Sequence, residues 1–208
     1  MLTVATLLWD ANARSLPFSK MYDETWVNRL YAGFRRHLTD PFRFVCFTDR
    51  PRVFKAGIDQ ERISAAVPDY GTCIEPYKLG EPMILVGLDT LVVGNIDHLR
   101  DFCLQSDIIG LPRDPYKLSR ACNGVALVPA GKQDVFKAHR GENDMEWMRR
   151  QPHVFIDDIF KGHVVSYKGS VQKNGVRDAR IIYFHGWPKF HQMLDDPLIK
   201  EHWRDDDL

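Results

Sequence analysis

The sequence has few cysteines, no long apolar run and no excess of either charge. Its four cysteines are scattered without a Cys-x-x-Cys pair, so neither a disulfide framework nor a cysteine-based zinc site is expected. Lys plus Arg and Asp plus Glu both total 28, which argues against an obligate nucleic-acid-binding protein. No run is long enough to span a membrane, and the N-terminus lacks the basic start of a signal peptide. These absences predict a cytoplasmic protein with no integral membrane segment.

Internal repeats and low-complexity segments are also absent, as is a glycine-rich phosphate loop near the N-terminus. The hydrophobic content of 44% and the aromatic content of 12% are typical of a globular protein that buries a core. At 208 residues the chain is long enough for one large domain, which we predict over residues 1–208 with an acidic tail from residue 195.

The N-terminal third has the pattern of a βαβ unit. An apolar strand is predicted at residues 3–9, a helix at 24–38 and a second strand at 42–48, with a loop over 14–23. Asp23 is the expected N-cap of the helix, which Asp40-Pro41 ends. Such a unit places its two strands parallel in one sheet, with a right-handed crossover.

The rest of the chain continues with short strands and helical segments, which predicts an α/β fold with a mostly parallel central sheet flanked by helices. The stretch 81–97 is central to this prediction because its two apolar runs surround a lone carboxylate, Asp89. The acid pair Asp157-Asp158 lies in an apolar segment, 153–160, on a strand or turn. Strands are predicted at 62–67, 82–87, 91–93, 107–111, 121–129, 164–167 and 180–184, a loop at 112–115, and helical segments at 76–79, 98–104, 131–150 (broken at 141–143) and beyond 195.

Several polar residues follow apolar strands: Asp10, Asn12, Asp49, Asp89 and His185. Open α/β sheets bind ligands at the carboxyl ends of their strands, so a parallel sheet would gather several of these side chains at one edge. A carboxylate with an imidazole suits Mn²⁺, and carboxylate oxygens suit Mg²⁺. Each acid could instead close a turn, and the histidine could be structural or simply exposed.

Three further groups are candidates for binding or catalysis. Lys189 could neutralise a phosphate or be an ordinary surface lysine. Asn123, beside Gly124, could bind sugar hydroxyls, or the two residues could form a β-bulge. Adjacent residues on a strand point in different directions, so at most one carboxylate of Asp157-Asp158 is expected to face a site.

Five segments, taken in order, resemble those of small bacterial and phage glycosyltransferases of the GT-A fold, which are related to glycosyltransferase family eight. The resemblance extends from about residue 3 to residue 191. The segments are VNRLYAGFRRHL, FRFVCFTD, LDTLVVGNID, CNGVALVPAGK and IIYFHGWPKFHQ.

The resemblance implies a nucleotide-sugar donor, most simply a UDP-sugar, a Mn²⁺ or Mg²⁺ ion, and transfer to an acceptor hydroxyl with retained anomeric configuration. Residues 1–97 would form the nucleotide-binding part and 98–194 the sugar and acceptor part. It assigns Asp89 and His185 to the metal, and Asp157, Asp158 and Asn123 to the reacting sugar. The remaining assignments are Trp9, Asp10, Asn12, Tyr22, Asp49, Lys78 and Leu88 to the nucleoside side, and Asn123, Gly124, Gly186 and Lys189 to the sugar and diphosphate.

One departure from the family pattern concerns the metal. The family motif is Asp-x-Asp, whereas this chain has Gly87-Leu88-Asp89, and the lost carboxylate weakens capture of a divalent cation. Three outcomes are open: a metal held by Asp89, His185 and the diphosphate, metal-free transfer that uses Lys189, or donor binding without turnover. The rival functions are therefore a non-catalytic sugar-nucleotide or glycan-binding module and a nucleotidyltransferase, which the missing phosphate loop disfavours.

Overall fold

The computed structural model describes residues 1–16 and 19–205. Pro17, in the loop predicted over 14–23, and the end of the predicted acidic tail, 206–208, lie outside the described residues. The helices are α1 (Glu24–His37), α2 (Asp97–Gln105), α3 (Gln133–Lys137), α4 (Asp144–Met148), α5 (Ile156–Ile159), α6 (Gln172–Asn174) and α7 (Pro197–His202). The strands are β1 (Leu2–Leu8), β2 (Phe42–Thr48), β3 (Ile58–Arg62), β4 (Met83–Val86), β5 (Thr90–Val92), β6 (Ile109–Leu111), β7 (Arg113–Asp114), β8 (Lys117–Ala121), β9 (Val125–Val128), β10 (His153–Phe155), β11 (Val164–Ser166) and β12 (Ile181–Tyr183).

The β1-α1-β2 unit is confirmed. Strands β1 and β2 pair in parallel along their whole length, from Leu2 opposite Phe42 to Leu8 opposite Thr48. Helix α1 begins after Asp23, whose carboxylate accepts a hydrogen bond from the Thr25 backbone N–H at 2.9 Å, as an N-cap does. Its apolar stripe lies in the core because leucine, tryptophan and phenylalanine recur at helical spacing.

The central sheet has the strand order β10-β6-β9-β4-β1-β2-β3. Strand β9 runs antiparallel to both of its neighbours, and the other pairings are parallel, so the predicted mostly parallel sheet is confirmed. Apolar clusters cover both faces of this sheet. One contains α1 and the smaller sheet, and the other contains the 3₁₀ segment Tyr70–Leu79.

The stretch 81–97 is divided between the central sheet and a second sheet, which has the strand order β11-β12-β5. Strand β4 belongs to the central sheet, whereas β5 pairs antiparallel with β12 in the smaller one. Asp89 therefore follows a strand of the central sheet, whereas His185 follows β12 of the smaller sheet. Residues Gly87 to Asp89 connect β4 of the central sheet to β5 of the smaller sheet. This connection brings them to the end of β12.

Local patterns misplaced several other elements. Strand β3 consists largely of polar residues, because it is a half-exposed edge strand, so the apolar run at 62–67 pointed to the wrong residues. The strand predicted at 121–129 is divided between β8 and β9, and the loop predicted at 112–115 contains β7, which forms a hairpin with β8. The break predicted at 141–143 is confirmed, since it separates α3 from α4.

Across residues 1–16 and 19–205, none of the helices combines the length and the apolar character that crossing a bilayer demands.

Candidate functional site

A cavity of about 440 Å³ opens at the carboxyl ends of β1 and β4, where the two sheets meet. Its volume lies in the range of small-molecule binding sites. Trp9 follows β1, Leu88 and Asp89 follow β4, and His185 with Gly186 follows β12. Further lining residues include Tyr22, Tyr70, Asn123, Gly124, Asp144, Tyr183 and Lys189.

Asp89 and Lys189 form an ion pair in the wall of this cavity, between the lysine Nζ and the carboxylate Oδ2. The Lys189 side chain is only 4% exposed, and its Nζ also donates to the Phe184 carbonyl at 3.3 Å. The Phe184 backbone N–H donates to the Asp89 carbonyl at 2.9 Å, which joins the two segments. Both acceptors compensate for burying an ammonium group, which is otherwise unfavourable.

The carboxylate of Asp89 lies close to two other residues. A Cβ atom at Gly87 would come within 2.8 Å of Asp89 Oδ1, so the carboxylate occupies the space that a side chain at position 87 would need. Burial, together with the neighbouring Asp89 carboxylate, raises the pKa of the Tyr22 hydroxyl. Tyr22 is therefore a neutral phenol beside Asp89.

His185 is held by a hydroxyl. Its Nε2 lies 2.7 Å from Ser166 Oγ, and the Tyr116 ring packs edgewise on the imidazole with ring centres 5.4 Å apart. Burial lowers the pKa of His185, and the positive charges of Lys168 and Lys189 lower it further, so the imidazole is neutral at pH 7.

The arrangement of Asp89 and His185 does not fit the divalent cation that the resemblance implies. Asp89 is paired with an ammonium group, and the His185 Nε2 is engaged by Ser166. Over the described ranges 1–16 and 19–205, no group of three or more His, Cys, Asp or Glu side chains is gathered as a metal ion would need.

A second polar pair, Asn123 and Asp144, also lines the cavity. The Asn123 Nδ2 donates to Asp144 Oδ2 at 2.9 Å, and Asp144 is the first residue of α4, which Asn143 caps. Burial raises the pKa of Asp144 above that of an ordinary aspartate. In the described part of the chain the buried Asn123 Oδ1 has no hydrogen-bond partner, an arrangement that native structures seldom tolerate without a reason.

Sequence reasoning missed Asp144 as a site residue. The only available signal was the break at 141–143, since an Asn-Asp pair after a glycine is typical of a helix start. Nothing in the local pattern shows that this helix start faces a cavity.

The predicted catalytic pair Asp157-Asp158 does not line the cavity. Asp157 Oδ2 accepts from the Arg113 backbone N–H at 2.8 Å, and Asp158 Oδ2 accepts from the Arg113 guanidinium at 2.7 Å. The pair lies in the first turn of the short helix α5 rather than on a strand, and both carboxylates hold the β7–β8 hairpin to this helix. A structural role is thus the one that their contacts show.

Two predicted nucleoside-side acids, Asp10 and Asp49, lie outside the cavity lining and are engaged by Arg52. The Arg52 side chain is 2% exposed, and its guanidinium reaches Asp10 and Asp49, each at 2.8 Å, and Glu24 at 3.0 Å. Hydrogen bonds from Arg50 and then Arg52 lower the pKa of Asp10 to about 2. These acids neutralise a buried cation, and the strand-end pattern did not predict that Arg52 reaches Asp10 from 42 residues away along the chain.

The other nucleoside-side predictions divide in the same way. Trp9, Tyr22 and Leu88 line the cavity. Asn12 instead closes a turn, because its Oδ1 accepts from the Arg14 N–H at 2.9 Å and its Nδ2 donates to the Pro68 carbonyl at 2.8 Å. Lys78 reaches the Arg62 carbonyl at 3.1 Å and lies outside the lining. The sugar and diphosphate candidates Asn123, Gly124, Gly186 and Lys189 all line the cavity.

The fold is shared with a glycosyltransferase. A crystal structure of the glycosyltransferase GlyE from Streptococcus pneumoniae TIGR4 matches 99% of this chain with a TM-score of 0.59. Sequence identity is 9%, and this chain spans 65% of the length of that structure. No family model and no curated protein matches the sequence. A likeness at this identity shows the fold alone, so the GT-A and family-eight assignments remain predictions.

Proposed function

We propose that this chain transfers a sugar from a nucleoside-diphosphate sugar to an acceptor hydroxyl. The observation that carries the proposal is the cavity at the junction of the two sheets, which has a buried ammonium group in one wall and an amide–carboxylate pair in another. The fold shared with a glycosyltransferase supports it. UDP-sugars, which the resemblance implies, are the first donors to test.

The lining suggests how the donor would lie. Trp9, Tyr22 and Tyr70 supply aromatic surface for a base and ribose. Lys189 supplies positive charge for a diphosphate, and Asn123 with Asp144 supplies donors and acceptors for sugar hydroxyls. The nucleoside of the donor would therefore lie at the end of β1, its diphosphate near Asp89, and its sugar at the start of α4.

The chemical demand of this reaction is electrostatic. The bond between the anomeric carbon and the diphosphate oxygen breaks while a bond to the acceptor oxygen forms, and the proton of the acceptor hydroxyl passes to the leaving diphosphate. Negative charge grows on the leaving diphosphate, where the Lys189 ammonium group would stabilise it, and positive charge grows on the sugar ring, where the Asp144 carboxylate would. Retention of configuration, which the resemblance implies, is part of the proposal.

A non-catalytic sugar-nucleotide-binding module is the second candidate. Gly87 in place of a motif acid, and an Asp89 already paired with Lys189, favour it. The two candidates separate on turnover, because a module would bind donors tightly and release no free sugar from any of them.

Nucleotide binding is tested by thermal unfolding with a panel of nucleoside diphosphates and nucleotide sugars of different bases. A ligand present at about a hundred times its Kd stabilises the native state by about 2.7 kcal/mol, which raises the Tm of a chain of this size by roughly 5–10 °C. We expect one base to give this shift and its nucleoside to give much less. No shift from any member of the panel at millimolar concentration would contradict the proposal.

A donor-hydrolysis assay on the compounds that bind then separates the two functions. Release of sugar in the presence of protein supports transfer chemistry, whereas tight binding without any release favours the binding module.

A further inference from the structure

The wall of the cavity contains a positively charged side chain, Lys189. Lys189 is almost fully buried, and a buried lysine in a native structure requires partners. An ammonium group has three N–H donors. Two are directed at Asp89 Oδ2 and the Phe184 carbonyl, which leaves one for a ligand in the cavity that Lys189 lines.

The position of this ammonium group is fixed by packing. Phe190, the next residue, is fully buried and stacks on Trp26 with ring centres 5.2 Å apart. The Lys189 backbone N–H donates to the Gln192 side chain at 3.1 Å, and the Gln192 N–H donates back to the Lys189 carbonyl at 2.9 Å. Because its neighbour Phe190 is buried and its own backbone is hydrogen-bonded to Gln192, Lys189 is a preorganised charge rather than a mobile lysine on the surface.

A second lysine lies on the same side of the site. Lys168 Nζ lies 3.3 Å from the place that a Cβ of Gly186 would occupy, and Gly186 has φ +62°, a conformation that favours glycine. A larger residue there would be strained and would push against the ammonium group. Glycine thus allows the backbone beside His185 and the Lys168 ammonium group to lie close together.

The charges near this end of the cavity sum to a positive value. Lys168 and Lys189 each bring a positive charge, and Asp89 brings a negative one. Asp114, the other acid that acts on His185, is paired with Arg149 at 3.1 Å. The motif position that would bring a second acid is Gly87, where a Cβ atom would come within 2.8 Å of Asp89 Oδ1.

We propose that this chain binds the diphosphate of its donor without a divalent metal ion, and that the Lys189 ammonium group, assisted by Lys168, carries the positive charge. Asp89 is then a positioning residue that holds Lys189, rather than a metal ligand. The inference rests on the proposed function, because it concerns the diphosphate of that donor.

The test is calorimetric titration of the full chain with inorganic pyrophosphate and with the nucleoside diphosphate that gives the largest thermal shift. Each titration is run in EDTA and again with excess Mn²⁺. We expect the two conditions to give the same Kd within about twofold, because a fixed ammonium group does not depend on added metal.

Variants locate the charge. Lys189→Gln in EDTA is expected to weaken binding on the order of ten- to a hundredfold, the effect of losing one charge-assisted hydrogen bond. Lys168→Gln, which leaves the Asp89–Lys189 pair in place, is expected to weaken it several-fold. Lys173→Gln is the matched control, since Lys173 is exposed and outside the cavity lining. Thermal melting without ligand shows whether each variant is folded, and Lys168→Gln keeps the test valid if Lys189→Gln is not.

The possible outcomes separate this inference from the proposed function. Binding that occurs only with Mn²⁺ overturns the inference and leaves the glycosyltransferase proposal standing. Binding in EDTA that neither lysine variant weakens overturns the role of the lysines. Binding of no nucleoside diphosphate under either condition overturns both proposals together.

Discussion

Replacing Asp144 with asparagine is expected to lower the rate of sugar transfer by about a hundred- to a thousandfold, the usual effect of removing one positioned electrostatic group. Asp144 lines the cavity and accepts a hydrogen bond from Asn123 at 2.9 Å. Asparagine has nearly the same shape and can keep that contact, so the loss would report the negative charge. The measurement is kcat and KM with the donor that the nucleotide panel identifies.

Asp157→Asn is the matched comparison. Asp157 accepts from the Arg113 backbone N–H at 2.8 Å, a contact that an amide oxygen can keep, and it does not line the cavity. We expect kcat to change by less than about threefold, as for a residue that does not act on the transition state. A larger effect at Asp157 than at Asp144 would contradict the placement seen here and favour the assignment that the resemblance implies.

The pH dependence gives a second readout of Asp144. Burial raises its pKa, so its carboxylate becomes protonated at a higher pH than an ordinary aspartate. We expect transfer to fall as the pH drops through this raised pKa, because the neutral acid no longer stabilises positive charge on the sugar. In the Asp144→Asn variant, the transfer rate should not show this fall at low pH, which is the acidic limb of the pH profile. A limb that persists unchanged in the variant would assign the titration to another group.

Replacing Arg52 with methionine is expected to lower the free energy of unfolding by about 3 kcal/mol, at the lower end of the range for breaking a buried ion pair. The guanidinium is surrounded by Asp10, Asp49 and Glu24, and its removal leaves three carboxylates near one another. The estimate is at the lower end because the side chain of Asp10 is 57% exposed and water screens its charge. Chemical denaturation monitored by tryptophan fluorescence measures the change.

Arg50→Met is the control for this variant. Arg50 also pairs with Asp10, at 2.7 Å, but its side chain is 50% exposed and water screens its charge, so we expect a much smaller loss of stability than for Arg52→Met. Similar losses in the two variants would show that burial of Arg52 is not what makes its contacts important.

Lowering the pH should reduce the difference in the free energy of unfolding between Arg52→Met and the parent. Hydrogen bonds from Arg50 and Arg52 lower the pKa of Asp10 to about 2, below its unfolded value of about 3.9. The stability that this carboxylate contributes is therefore fully present above about pH 4 and is lost as the pH falls toward 2. If the difference in unfolding free energy between the variant and the parent stays constant over this pH interval, the stability of the cluster does not depend on the charge of Asp10.

Arg52 also connects stability to the site. The Asp10 backbone N–H donates to Asp49 Oδ2 at 2.9 Å, and Arg52 holds both acids. Asp10 directly follows Trp9, which lines the cavity. The carboxylates expected to bind a nucleoside thus fix the end of β1, and their effect on the donor would be through the placement of Trp9.

The sequence by itself determined the elements whose causes are local. The β1-α1-β2 unit follows from apolar spacing within single segments, from the Asp23 cap and from Asp40-Pro41 at the helix end. The strand-end pattern also indicated Asp89 and His185, which line the cavity, because polar residues that follow buried strands lie at the carboxyl ends of those strands.

Only the tertiary structure decided which charged groups meet. Asp89 pairs with Lys189, a hundred residues away along the chain, because β5 leaves the central sheet to pair with β12. Asp144 faces the cavity while Asp157 is held by the backbone of Arg113, and the two acids carry no local mark that separates them. A carboxylate pairs with whichever cation the packing of distant segments brings near it, and that packing is a property of the whole chain rather than of any window of its sequence.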